Sequence, residues 1–151
     1  MYSKQESSLL KQEFWTTLGQ YMAPIVNAEG EKINWINYKT GAKNIRFGMK
    51  ADNKTATIFI ELSHKEEQLQ NEYFEKFIQL KKILELATGE RWQWLPNTYD
   101  EHGKMISLIH TNLPGISIFD KASWPSLISF FKTRMIALDI FWCAHKYAFE
   151  R

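Results

Sequence analysis

The sequence predicts an α+β fold: a mixed, mainly antiparallel sheet with helices against it, in the order helix, strands, helix, strands, helix. Three observations predict it. Residues 45–50 and 55–62 alternate apolar and polar side chains around the turn Ala51-Asp52-Asn53-Lys54, which is the pattern of a half-buried hairpin. Leu69, Tyr73, Phe77, Leu80 and Leu84 then recur at helical spacing up to a stop at Gly89. Near the end, Leu127, Phe131, Met135, Leu138, Trp142 and Phe149 line one side of a long helix.

In chain order, Leu10, Phe14, Leu18 and Tyr21 predict a first helix over residues 5–22, closed by Pro24. Residues 32–39 alternate, with Ile33 and Trp35 opposite Asn34, Ile36 and Tyr38, and predict a strand that Thr40-Gly41 ends. The hairpin follows. Ser63 and Glu66 have the spacing of a capping box for the second helix. A short aromatic strand is expected over residues 91–95, stopped by Pro96, and another over 105–110 after the turn Asp100-Glu101-His102-Gly103. A further short strand is expected at 116–119. Ser123 as N-cap and Pro125 in the first turn open the last helix.

Nothing in this order marks a boundary: no Ser/Gly linker, low-complexity tract or shift in composition interrupts residues 1–151, so one domain is expected. A chain of 151 residues with 44% hydrophobic content, six Trp, six Tyr and ten Phe is rich enough for a packed core. Nineteen Lys and Arg against seventeen Asp and Glu leave a net charge of +2, so any contact with nucleic acid must come from a local patch. The single Cys143 sits among Phe141, Trp142 and Ala144 as a small hydrophobe. Residues 1–8 lack the apolar stretch of a signal peptide, and residues 127–144 are interrupted by Lys132, Arg134 and Asp139. A cytoplasmic protein without a membrane segment is the expectation.

Five phrases identify a resemblance: Phe14-Trp15, Gly30-Glu31-Lys32-Ile33-Asn34-Trp35-Ile36-Asn37-Tyr38-Lys39-Thr40-Gly41, Ile60-Glu61-Leu62-Ser63-His64-Lys65, Trp124-Pro125-Ser126-Leu127-Ile128 and Lys146-Tyr147-Ala148-Phe149-Glu150. Together they span nearly the whole chain. It resembles a bacterial family of small domains of unknown function, found alone or C-terminal to nuclease-like domains. The resemblance implies a setting of DNA transactions, with DNA or a nuclease-containing protein as partner. It implies no catalytic residues.

The residues offer two chemistries. The expected order of helix, three strands, helix and strand matches the core of restriction-endonuclease-like nucleases, whose signature is an Asp, then a Glu or Asp, one residue, and a Lys. Asp52 and Glu61 fit the carboxylate positions, where two hard oxygen ligands hold a divalent metal. Ser63 stands where the Lys belongs, and Lys65 lies two residues further on. A structural reading accounts for the same residues: Asp52 as a turn former, Ser63 as a cap, and Glu61 paired with Arg46 or Lys50 across the hairpin.

The second chemistry is the sheet face opposite the core. With Ile45, Phe47, Met49, Ile58 and Ile60 turned inward, Arg46, Lys50, Thr57, Phe59 and Glu61 turn outward, joined by Trp35 and Tyr38 or their neighbours, a mixture suited to phosphates and bases unless a helix or a second copy of the chain covers it. The remaining signals are thin. His64, His102, His110 and His145 lack ligand spacing, and no phosphate loop or nucleophile motif is present. No organic cofactor is expected, and a divalent metal only if the chain is a nuclease. The resemblance, more than the residues, implies a non-enzymatic accessory or interaction domain beside nucleic acid or a nuclease, with a metal-dependent nuclease and a structural homodimer as alternatives.

Overall fold

The computed structural model describes residues 3–150. Helix α1 (Lys4–Met22) leads, through a long irregular segment, into strands β1 (Ile45–Ala51) and β2 (Thr55–Leu62). Helices α2 (Glu67–Gln79) and α3 (Lys81–Thr88) follow, then β3 (Gln93–Tyr99), β4 (Met105–Pro114) and α4 (Trp124–His145), which ends in a 3-10 turn at Lys146–Phe149. The sheet order is β1-β2-β4-β3, and all three pairings are antiparallel. The architecture is α+β, as expected.

Alternation along the strands explains the layering. Ile45, Phe47, Ile58, Ile60, Leu62 and Ile109 are buried on one face, where α2 and α4 pack, while α1 and α3 pack on α4. Phe14, Leu18 and Met22 of α1, Phe77 of α2, and Phe131, Met135, Leu138 and Trp142 of α4 complete a single core. α4 is apolar almost all round because sheet, α1 and α3 surround it. No helix among the described residues is long and apolar enough to cross a membrane.

Several sequence expectations are corrected. Residues 32–39 are not a strand. Their alternation is the pattern of a loop whose large side chains anchor it: Trp35 and Tyr38 are buried, while Asn34 Oδ1 accepts from the amides of Ile36 and Asn37 (both 3.1 Å), a side-chain turn that competes with strand pairing. Only an isolated bridge between Val26 and Lys32 survives. With that strand goes the element order that suggested a restriction-endonuclease-like core.

The helix expected up to Gly89 is two, broken at Leu80 (φ −100°, ψ 7°). The Ser63–Glu66 capping box does not form. The Ser63 amide donates to the Asn44 carbonyl (2.9 Å), prolonging the hairpin, and α2 starts after Glu66 without a side-chain cap. β3 begins and ends later than expected and runs through Pro96. It can do so as an edge strand with an irregularity between Leu95 and Thr98, where Asn97 takes φ 50°. β4 extends to Pro114, and residues 116–119 fold back on the β1–β2 turn, with the Ile118 amide on the Asp52 carbonyl (3.0 Å), instead of forming a strand. Ser123 stands at the N-cap of α4, but its Oγ accepts from the Ser117 amide (3.3 Å).

Candidate functional site

The face of the sheet away from the helices carries the best-organised set of candidate side chains. Register builds it as rows crossing the strands: Arg46, Glu61 and Leu108; Gly48, Phe59 and His110; Lys50, Thr57 and Asn112. Leu95 and Gln93 of β3 extend the first two rows. Neighbouring rows are about 7 Å apart, two residues along a strand. Arg46, Lys50 and Asn112 are exposed, and Phe59 lies outside the core cluster.

Phe59 is nevertheless only 6% exposed, because its neighbours cover it. Its ring lies across β1 at Gly48, where a β-carbon would collide with Cζ and stand 2.8 Å from Cε2. Arg46 Cζ is 4.9 Å and Lys50 Nζ 5.8 Å from the ring centroid, both cation–π distances. Arg46 Nε also lies 3.7 Å from Glu61 Oε2, with the arginine side chain 59% exposed, so the pair contributes only about 0.2–1 kcal/mol. On the other side, Thr57 Oγ1 donates to Asn112 Oδ1 (2.8 Å), and His110 Nδ1 is 3.2 Å from the same oxygen. Burial, aided by the Lys50 charge and opposed by Asn112, holds His110 below the usual histidine range. The face's charge at neutral pH therefore comes from Arg46, Lys50 and Glu61.

The residues proposed from sequence for catalysis are not brought together. Asp52 sits in the hairpin turn, its Oδ1 accepting from the amides of Lys54 (2.7 Å) and Thr55 (2.8 Å). Glu61 pairs with Arg46 at the far end of the hairpin, six residues and about 20 Å away along the strand. Lys65 lies in the connection before α2, exposed. Among the described residues, no group of three or more His, Cys, Asp or Glu side chains gathers as a metal site. By contrast, the structure places Arg46, Lys50 and Phe59 in contact, together with His110 and Asn112, which the sequence reading missed. Extending the alternation of β4 past His110 would have found them.

A second concavity, about 350 Å³, lies between the irregular segment and the end of α4, lined by Asn27, Glu29, Tyr38, Cys143 and Lys146 among others. Its polar groups are engaged in holding the segment down. Asp139, 1% exposed, accepts from the Ala28 amide (Oδ2, 2.7 Å) and the Tyr38 hydroxyl (Oδ1, 2.6 Å). Lys146 Nζ binds Glu29 (3.2 Å), and Trp142 Nε1 donates to the Thr40 carbonyl (2.7 Å). Burial and the nearby Asp139 push the Cys143 thiol up to about 11, which favours the protonated thiol over the thiolate at neutral pH. The phrase Gly30–Gly41 is thus a structural clasp on α4.

Compared with known families, the chain matches a domain of unknown function, DUF4268, over residues 10–146. It belongs to that family. The match takes in α1 from Leu10, the clasp, the whole sheet and α4 as one unit, so the open face and the clasp are both parts of the DUF4268 domain. Comparison with curated proteins and with solved structures gave no match.

Proposed function

We propose that this protein is a non-enzymatic accessory domain that contacts nucleic acid through its open sheet face, in the company of a nuclease-like partner as the family resemblance implies. The observation that carries the reading is the uncovered face itself: two exposed cations, Arg46 and Lys50, rise from one strand on either side of an aromatic ring. Long basic side chains on a rigid sheet meet phosphates without cost in backbone ordering, and such contacts give sequence-independent binding that weakens with salt. Asn112, Thr57 and the uncharged His110 border the ring with donors and acceptors suited to sugar or base edges.

The separation of Asp52 from Glu61 favours this reading over metal-dependent cleavage. The test is fluorescence anisotropy with labelled oligonucleotides across a salt series. The expected outcome is binding that falls as salt rises and that the double substitution Arg46→Ala, Lys50→Ala weakens at least about tenfold at low salt, with the salt slope reduced by roughly two. Failure to bind at low salt, or unchanged binding in the double variant, overturns the proposal.

A further inference from the structure

We infer that the open face selects single strands over duplexes, with Phe59 as a base-stacking platform and Arg46 as its movable cover; the inference rests on the nucleic-acid reading above. A stacking platform needs a ring lying flat on a rigid surface, and the missing side chain at Gly48 is what lets Phe59 lie across β1. Among the described residues, the helices pack on the opposite face of the sheet, and Arg46 and Lys50 beside the ring are exposed. The ring rests on β1 at Gly48, and the charged ends of Arg46 and Lys50, themselves exposed, sit over it at cation–π distance.

An incoming strand can replace each of these contacts with an equivalent one. An unstacked base takes the place of the guanidinium against the ring, and a phosphate takes the place of Glu61 as partner of Arg46. The ion pair given up is exposed and weak, so little is lost in the exchange. Bases inside a duplex are already stacked and cannot make it. A purely structural role for Phe59, shielding the glycine of the neighbouring strand, predicts none of this selectivity.

The experiment uses the full chain with labelled oligo(dT), oligo(U) and a duplex of equal length, each variant being checked for a native melting transition. Single strands are expected to bind more tightly than duplex. Phe59→Leu, which keeps apolar cover but loses the ring, weakens single-strand binding about tenfold and duplex binding little. Gly48→Ala lifts the ring, keeps both cations on the face while pressing on the end of the Arg46 guanidinium, and gives the same strand-specific loss, with duplex binding as the control for any change at Arg46. Glu61→Gln releases Arg46 and strengthens single-strand binding, and this variant together with Gly48→Ala carries the test if Phe59→Leu does not fold. Tighter binding of oligo(U) or of oligo(dT) identifies RNA or DNA as the source of the strand. Equal affinity for duplex and single strands, or single-strand affinity unmoved by both Phe59→Leu and Gly48→Ala, overturns the stacking inference while leaving salt-dependent contact through Arg46 and Lys50 intact. No binding to any of the three removes both.

Discussion

Asp52 shows how one carboxylate can satisfy a functional pattern and a structural one at once. Its oxygen closes the β1–β2 turn by accepting from the amides of Thr55 and Lys54, and those bonds draw its pKa below the usual carboxylate value. A folded-state pKa below the unfolded one contributes stability that is present above the unfolded value and lost as pH falls through the folded value. Asp52→Asn is therefore expected to be less stable than wild type near pH 7, with the difference closing as pH drops below the ordinary carboxylate range; urea denaturation over a pH series measures it. A difference independent of pH would show that the charge is not what closes the turn. Phe59 carries the opposite lesson. Its outward position followed from alternation alone, whereas its cover of Arg46 and Lys50 depends on rotamers and on the neighbouring glycine.

At the scale of elements, the segment between α1 and β1 is held without regular structure. Its anchors are side chains: Trp35 Nε1 on the Ile25 carbonyl (2.9 Å), Thr40 Oγ1 on the Ile45 carbonyl (2.7 Å), and above all Asp139 of α4 holding Tyr38 and Ala28. Removing the Tyr38 hydroxyl leaves Asp139 Oδ1 short of a buried donor, so Tyr38→Phe is expected to cost about 1–2 kcal/mol. Asp139→Ala removes both of its bonds to the segment, leaving the Tyr38 hydroxyl and the Ala28 amide without that acceptor, and is expected to cost about 3 kcal/mol or more. Hydrogen exchange separates them: the Ala28 amide loses protection in Asp139→Ala and keeps it in Tyr38→Phe. Burial first, and then the bond to Asp139, raise the Tyr38 pKa. Its contribution is complete below the unfolded tyrosine value and declines as pH rises above it, so Tyr38→Phe loses less stability than wild type on going above about pH 10. The Glu90–Arg134 pair, bidentate at 2.7 and 2.9 Å with Arg134 stacked on Phe130, ties the end of α3 to α4 in the same manner.

At the scale of the molecule, helices on one side of an antiparallel sheet leave the other side to solvent, and that asymmetry creates the candidate site. The hairpin register separates Asp52 from Glu61, since opposite ends of a hairpin cannot share a metal ion. Millimolar magnesium or manganese is accordingly expected to leave the melting temperature unchanged; a metal-dependent rise that Glu61→Ala abolishes would restore the nuclease alternative. Much of this architecture is legible without coordinates. The period of the hairpin is legible because it buries one face, which writes itself into the spacing of Ile45, Phe47, Ile58 and Ile60, whereas α4 is legible from its length, its cap and its high apolar content, since it is buried almost all round. Residues 32–39 misled because Tyr38 is anchored by Asp139, more than a hundred positions away, and Trp35 by the Ile25 carbonyl and the Tyr38 ring, and a local pattern does not say which surface buries it. The sequence by itself determined the α+β class, the hairpin and the outward set of Arg46, Lys50 and Phe59, all consequences of local period and turn chemistry. Tertiary structure alone decided that no helix covers that set, that His110 and Asn112 join it, and that Asp52 and Glu61 stay apart, because strand order and the choice of covered face depend on packing between elements distant in the chain.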